Sequence, residues 1–473
     1  MAIAKNRNRF VRNVSVNTLQ LILNQLFGLI IFYALSKGID KDLFGHINWT
    51  LAILLTVFGI LTFGIDQLMV KKIASGENLQ EIFRAYFFHV ITSGFAFYFL
   101  LAAFYFLSPG ILANSTLLLF IGTGKLFIFL STPFKQVAAG LEKFTSLLYM
   151  SVVSNIIRGV GLLVLLLLLQ MTITNILIVF ISGDLAELIA CYFIARPIAR
   201  LPLSIKPDKI LQLSLLKESL PQAGVVIFSA ILARFDWILI GLVLSASKLA
   251  EYSFAWKIFE ISTLPLFILA PIMVPLFTRI YKEPPGNAPF FLLEWQVITG
   301  SFIALTLNVC WIPIMEFITD GKYGAVNSNT IFILSLSMPL LYFNNYLWTI
   351  NFAKGLLKEI FRIMAISVAV NIGCCIFLVP AYGNEGAAFA YLATTVVQLL
   401  LYTYKTFFPI PGYKKYLLLS WPAIAFCCGW MSMHFFKAPQ TGIAMALFSF
   451  LLVVMLSRQV KPRDWKKLQS IYG

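Results

Sequence analysis

Eight charged side chains lie deep within apolar stretches that are long enough to cross a bilayer, away from the ends of those stretches. The cations are Lys125, Arg158, Arg234 and Lys257, and the carboxylates are Asp184, Glu187, Asp236 and Glu260. Ionisable residues inside membrane spans usually face a bundle interior or a water-filled cavity, because hydrocarbon cannot solvate them. The four cations are therefore candidates to bind an anionic substrate. The four carboxylates are candidates for ion coupling or for structural pairing.

Two of these charges interrupt the apolar stretch ILARFDWILIGLV at residues 231–243. Arg234 and Asp236 lie on different faces of a helix and are not expected to pair with each other. The turn after this span centres near residue 247, and Arg234 and Glu260 are equally far from it along the chain, on opposite sides. Both are thus about 19 Å deep at a rise of about 1.5 Å per residue. Asp236 lies 11 residues before the turn centre and Lys257 lies 10 residues after it. The hairpin therefore predicts the pairs Arg234–Glu260 and Asp236–Lys257.

The preceding hairpin repeats this arrangement. Its turn centres near residue 171, and Arg158 precedes that centre by the same distance along the chain at which Asp184 follows it. The spacing predicts an Arg158–Asp184 pair, and Glu187 shares the face of Asp184 at i+3. Lys125 has no opposite charge at matching depth in the span before it. Lys125 and Glu187 therefore lack an evident hairpin partner, which favours a substrate-contact role for Lys125 or its neutralisation of Glu187.

Two interpretations of the charges remain open at this point. They are structural ion pairs that lock each hairpin, or they line a polar, hydrated cavity, and both can hold at once. Four cations and four carboxylates leave no net charge. Charge alone therefore does not identify an anionic substrate.

The elements that carry these charges are membrane helices. Hydrophobic residues make up 60% of the 473 residues and charged residues 12%, against about 25% charged in a soluble domain. The pattern predicts an all-α, polytopic membrane protein with fourteen transmembrane helices. The predicted spans are 14–36, 44–68, 84–107, 112–133, 145–169, 172–195, 219–244, 249–277, 290–317, 328–352, 360–380, 383–406, 415–436 and 440–457.

The distribution of basic residues predicts the orientation. With the N-terminus inside, the cytoplasmic segments hold 27 Lys and Arg residues and the outer loops hold 5. This bias predicts that both termini are cytoplasmic in a multi-pass protein of the plasma membrane. The net charge of +16 then mostly faces the anionic inner leaflet and requires no nucleic acid.

Weak internal repeats divide the chain into two lobes. SVVSNI at 151–156 matches SVAVNI at 367–372, an offset of 216, and Trp49 and Lys72 match Trp256 and Arg279 at 207. Two parallel six-helix lobes would suit alternating access around a site between them. The predicted division is an N-terminal lobe at 1–200, a cytoplasmic amphipathic linker at 201–218, a second lobe at 219–408, and two extra helices with a basic tail at 409–473. Three prolines, Pro265, Pro271 and Pro275, predict a kink in span eight.

The sequence contains no motif of catalysis or cofactor binding. Phosphate-cradling loops, metal-ligand spacings and hydrolytic triads are absent from it. The six cysteines sit in or beside apolar runs with no CxxC spacing and are expected to be apolar filler. We expect neither an enzyme nor a cofactor-dependent protein.

Three stretches resemble one family of membrane proteins. Phe44-Gly45, followed by FGID at 63–66 and the pair Lys71-Lys72, is similar to its first hairpin. RFDWILIG with AEYSFAWKI at 250–258 looks like the start of its second lobe, and VPAYGNEGAAFAYLATTVV at 379–397 looks like the turn before that lobe's last helix. Together they resemble the polysaccharide exporters and O-antigen (Wzx-type) flippases of the multidrug/oligosaccharidyl-lipid/polysaccharide exporter superfamily, over roughly residues 14–406. Lys37 stands where the family often has an arginine, and lysine lacks the bidentate fork that arginine offers to phosphate.

This resemblance implies a function and partners. The implied activity is a flippase that moves an undecaprenyl-diphosphate-linked oligosaccharide across the bacterial inner membrane, for surface polysaccharide or lipopolysaccharide O-antigen. The implied partners are that lipid-linked oligosaccharide, membrane lipids, a polysaccharide polymerase and glycosyltransferases. A cation-coupled multidrug exporter of the same superfamily and a non-transporting scaffold for glycan assembly remain alternatives. The exporter predicts a cavity dominated by carboxylates, and the scaffold predicts that the charges are all paired and dispensable.

Overall fold

The computed structural model describes residues 2–107, 115–199, 209–282, 290–406, 412–436 and 438–457. All its regular elements are helices, as expected where backbone polar groups must be satisfied inside a membrane. The chain divides into two compact units, Met1–Ala250 and Glu251–Gly473. The helices of the first unit are α1 (Ala2–Gly38), α2 (Lys41–Leu61), α3 (Ile65–Ala74), α4 (Leu79–Leu107), α5 (Ser115–Gly140), α6 (Phe144–Leu168), α7 (Ile173–Ala199) and α8 (Lys209–Val243).

The boundary between the units falls in α9 (Ala246–Ser262). The remaining helices are α10 (Leu264–Lys282), α11 (Phe290–Thr319), α12 (Ser328–Ala353), α13 (Leu357–Thr406), α14 (Gly412–Phe435) and α15 (Pro439–Leu456). Helix α13 is interrupted at Gly383, where φ is 59°, and so holds two spans. Eleven stretches of the described helices are long and apolar enough to cross a membrane. One of these stretches is in α13 and is long enough for both of its spans.

Each predicted span has a counterpart among the described helices, and the polytopic all-α fold is confirmed. Two predicted spans are each built from two helices, α2 with α3 and α9 with α10. These are spans two and eight, which the internal repeat relates to each other. The second break falls at Thr263, before all three prolines of that span.

The predicted division into lobes and linker remains a prediction. Helix α8 was expected to open the second lobe, yet it packs against α2, α3 and α4 of the first unit. Residues 209–218 of the predicted amphipathic linker form the first turns of α8, which continues to Val243 as one helix. Residues 200–208 and the basic tail at 458–473 lie outside the described residues.

Span two is broken over Thr62–Gly64. Phe63 and Gly64 have positive φ angles of 52° and 69°, a left-handed conformation that disfavours a bulky side chain such as phenylalanine. A break leaves carbonyl groups without helical partners, which is costly in a membrane. The Leu61 carbonyl accepts a hydrogen bond from His89 Nε2 at 2.9 Å. His89, which the sequence places in an apolar run, therefore supports the broken helix.

One end of α2 approaches the beginning of α9 very closely. A Cβ atom on Gly45 would lie 1.8 Å from the Ala246 carbonyl oxygen, so only glycine fits there. Further along α2, the indole of Trp49 donates to the Ile238 carbonyl of α8 at 3.2 Å. This part of the interface is apolar and tightly packed.

The other end of span two contacts α8 through polar groups. Lys72 Nζ lies 2.9 Å from Glu218 Oε2, and Gln222 donates to Gln67 at 2.5 Å. The Glu218 hydrogen bond raises the pKa of Lys72, and the same bond lowers the pKa of Glu218. The stabilisation that charged Glu218 provides is therefore lost as pH falls through its lowered pKa. The stabilisation that charged Lys72 provides is lost as pH rises through its raised pKa. Between those limits the pair stays charged.

We expect charge reversal at Lys72 to loosen this contact. In a cysteine-free background, Gln67→Cys/Gln222→Cys should be cross-linked less efficiently by a short bifunctional maleimide when Lys72→Glu is added. Because partly exposed pairs contribute at most about 1 kcal/mol, the change should not exceed about fivefold. Lys72→Glu/Glu218→Lys should restore cross-linking, whereas equal efficiency in all three backgrounds would show that the pair does not hold the two helices.

Candidate functional site

Three helices of the first unit bring buried charges together. Asp184 of α7 is fully buried, and its Oδ2 lies 2.8 Å from Lys125 Nζ of α5. Its Oδ1 lies 3.3 Å from Arg158 Nη1 of α6. The Arg158 guanidinium also packs over the Phe180 ring, 5.7 Å from its centre, as a cation–π contact. One carboxylate thus bridges two cations from different helices.

A second carboxylate extends the cluster along α7. Glu187 is 2% exposed and accepts hydrogen bonds from Lys135 Nζ of α5 and Ser154 Oγ of α6. It lies one turn beyond Asp184 on the same face of α7. The two carboxylates and three cations form one cluster, which we call the α5–α7 charge cluster: Lys125, Lys135, Arg158, Asp184 and Glu187.

Polar side chains connect the cluster to α1. Arg158 Nη2 donates to Ser154 Oγ at 3.1 Å and to Asn155 Oδ1 at 2.9 Å. Asn155 in turn donates to Asn24 of α1 at 3.1 Å. A row of hydrogen-bonding groups therefore crosses from α7 to α1 inside an otherwise apolar bundle.

The geometry confirms one predicted pair and corrects one interpretation. Arg158 and Asp184 pair as the hairpin spacing predicts. Lys125 and Glu187 were expected to lack hairpin partners, and each has a partner on a helix outside its hairpin. Lys125 forms its ion pair with Asp184, and Glu187 forms its ion pair with Lys135. The expectation that Lys125 pairs with Glu187 is therefore wrong. Its role as a substrate contact remains a prediction.

Lys135 is the one member of the cluster that the sequence pattern did not indicate. The predicted span four ends at residue 133, which placed Lys135 among the cytoplasmic basic residues. Helix α5 continues to Gly140, and the lysine side chain reaches Glu187 within the bundle. The available signal was the carboxylate itself, because a glutamate in a membrane span requires a cation or a proton.

The charges of α8 have a different environment. The Arg234 guanidinium lies over the Trp237 indole, 4.5 Å from the ring centre, and donates to the Ala233 carbonyl at 3.1 Å. Asp236 is 5% exposed, and its Oδ1 accepts the Trp237 backbone N–H at 2.9 Å. These contacts place an arginine on an aromatic face at membrane depth.

The remaining two predicted site residues form a pair on one helix. Lys257 Nζ lies 3.1 Å from Glu260 Oε2 at i,i+3 of α9. The hairpin pairs Arg234–Glu260 and Asp236–Lys257 each join residues of the two units and remain predictions. Tyr252 and Trp256 of the same helix are buried and pack in the protein interior.

The α5–α7 charge cluster differs from the balanced set expected from sequence. With Lys135 included it has three cations and two carboxylates, a formal charge of +1. Lysine and arginine donors at close spacing bind phosphate oxygens through charge-assisted hydrogen bonds. The cluster is suited to an anionic group.

The sequence comparison decides the family. Residues 10–281, more than half of the chain, match the family described as "Polysaccharide biosynthesis protein". The chain belongs to the polysaccharide biosynthesis protein family. This match confirms the resemblance to polysaccharide exporters, and it covers the whole α5–α7 charge cluster. No curated protein sequence matches the chain.

Solved structures show which fold this family member has. It is similar to the lipid II flippase MurJ in an inward closed conformation, at 15% identity and a TM-score of 0.76, over 93% of this chain and 98% of that chain. It is also similar to an inward-facing multidrug resistance MATE family transporter of the MOP superfamily, at 11% identity and a TM-score of 0.62, over 83% and 98%. A Vibrio cholerae MATE transporter matches at 14% identity and a TM-score of 0.56, over 84% and 96%. At these identities the likeness establishes the polytopic transporter fold alone.

Proposed function

We propose that this protein is a flippase for a polyprenyl-diphosphate-linked oligosaccharide, with the undecaprenyl-linked repeat unit of a bacterial surface polysaccharide as substrate. The family match supports polysaccharide biosynthesis, and the fold is that of membrane transporters. The protein would act in the bacterial inner membrane with both termini cytoplasmic, as a transporter and not an enzyme. A polysaccharide polymerase and glycosyltransferases would be its partners.

The α5–α7 charge cluster is the observation that carries this proposal. A diphosphate and sugars cannot enter hydrocarbon, whereas a prenyl chain can remain there. The cluster provides buried cationic donors at membrane depth, and cations outnumber carboxylates in it. A site for cationic drugs would need the opposite balance. Arg234, stacked on Trp237, and Lys257 are proposed as further contacts to the head group, with Asp236 and Glu260 as their structural or ion-coupling partners.

An apolar groove on the second unit would hold part of the prenyl chain. It has a volume of about 230 Å³ and lies between α11, α12 and α14. Phe426 and Trp430 on its wall are 53% and 60% exposed, so its rim is open to lipid. Asn308 and Ser335 in the lining bond each other at 2.7 Å and leave the groove mostly apolar.

Deletion of the gene in its native host tests this function. We expect surface polysaccharide to disappear and its lipid-linked repeat unit to accumulate in the inner membrane. Expression of the wild-type chain should restore display. Normal display with hypersensitivity to cationic drugs would instead identify a multidrug exporter. Loss of display without accumulation of the repeat unit would identify a scaffold for glycan assembly.

A further inference from the structure

Both carboxylates of the α5–α7 charge cluster hold donors that a phosphate would need. Asp184 pairs with Lys125 and Arg158, and Glu187 accepts hydrogen bonds from Lys135 and Ser154. A carboxylate and a phosphate present similar anionic oxygens to the same N–H and O–H groups. If a diphosphate binds in this cluster, it must therefore compete with one or both carboxylates.

The two carboxylates are not equally easy to displace. Asp184 bridges two cations from different helices and is fully buried on a short side chain. Glu187 contacts one cation, on a side chain that is longer by one methylene. That cation, Lys135, is 17% exposed at its side chain, against 6% for Lys125. Glu187 is the carboxylate that can leave without breaking the α5–α6–α7 contact.

The charge balance indicates that one carboxylate leaves, and the unequal contacts make that carboxylate Glu187. A diphosphate diester carries two negative charges near neutral pH. With both carboxylates in place the cluster has a charge of +1, and without Glu187 it has +2, which matches the diester. Displacing Asp184 as well would leave three cations facing two charges in a buried site. Uncompensated buried charge is strongly unfavourable.

We propose that Glu187 is an internal mimic of the substrate's diphosphate. It holds Lys135 and Ser154 when the substrate is elsewhere, moves aside when a phosphate takes those donors, and returns when the phosphate leaves. This keeps Lys135 neutralised during the return step of the transport cycle. The inference rests on the proposed function, because it needs a diphosphate substrate.

Neutralising Glu187 separates binding from transport in a way that a structural ion pair would not. We expect purified full-length Glu187→Gln in detergent to bind farnesyl-diphosphate-linked N-acetylglucosamine about tenfold more tightly than wild type. Surface polysaccharide display at equal protein abundance should fall about tenfold, because the return step leaves Lys135 uncompensated. Lys135→Met should have the opposite effect on binding and weaken it about tenfold.

The controls keep the test independent of folding. Glu359→Gln, which removes the carboxylate from the Arg362 pair of α13, should leave probe affinity unchanged. If Glu187→Gln folds poorly, Glu187→Asp supplies the same comparison, because its shorter side chain loosens the Lys135 contact and should tighten probe binding in part. Equal or weaker probe binding by folded Glu187 variants would overturn the mimic. Absence of probe binding by the wild type would overturn the proposed function together with it.

Discussion

Replacement of Lys125 by glutamine is expected to abolish surface polysaccharide display and to reduce the amount of folded protein. Lys125 is 5% exposed and makes the shorter of the two contacts to Asp184, at 2.8 Å. Removing one member of a buried pair costs about 3–5 kcal/mol, and Asp184 would keep only the longer Arg158 contact, at 3.3 Å, as compensation. Lys125→Arg should retain part of the display, since it keeps the charge and can donate two hydrogen bonds. Membrane abundance and display would be measured side by side.

A double variant distinguishes the structural role of Lys125 from substrate contact. In Lys125→Gln/Asp184→Asn one positive and one negative charge are removed together, so the cluster keeps its formal charge of +1. Protein abundance should recover in part, because Arg158 then lacks its carboxylate. Display should stay low if Lys125 also meets the diphosphate. Recovery of both abundance and display would show that Lys125 serves only to neutralise Asp184.

Gly45→Ala should strongly destabilise the folded protein. The added Cβ would lie 1.8 Å from the Ala246 carbonyl oxygen, and that backbone atom cannot move without displacing α9. Overpacking of this kind typically costs about 1–3 kcal/mol, and we expect the upper end of that range. Thermal unfolding of the detergent-solubilised protein measures the effect.

A matched control lies in the same helix. The nearest atom to a Cβ on Gly59 is the Ala230 Cβ, at an ordinary contact distance of 3.8 Å. Gly59→Ala should therefore leave the unfolding temperature unchanged or raise it, since alanine has the higher helix propensity. Equal losses for the two substitutions would show that the close approach at Gly45 is not required.

The sequence was sufficient to predict the spans but only part of the site. Span positions follow from apolar length, which is a local property, so each span has a counterpart among the described helices. The Arg158–Asp184 pair was predictable because a tight turn sets the depth of residues on two consecutive spans. The Lys125–Asp184 and Lys135–Glu187 contacts join α5 to α7. These helices are not consecutive, and no spacing rule along the chain relates them.

Helix ends account for the rest of what was missed. A lysine just beyond the last apolar residues of a span is typical of a cytoplasmic loop. In α5 the helix continues past that point, and the long side chain of Lys135 turns back to Glu187. The break in span two was equally hidden, because Phe63 adopts a positive φ that its residue type disfavours. Packing against other helices decides both features.

The break at Thr62–Gly64 has a mechanical consequence. A continuous helix transmits rotation and tilt from one face of the membrane to the other, whereas two helices joined at Phe63–Gly64 do not. The apolar junction at Gly45 of α2 and the charged junction at Lys72 of α3 are therefore not obliged to move together, although α2 and α3 together form span two. The contact at Gly45 can open while the contact at Lys72 stays closed, and the reverse also holds. The two helices of the span can therefore tilt separately about the break at Phe63–Gly64.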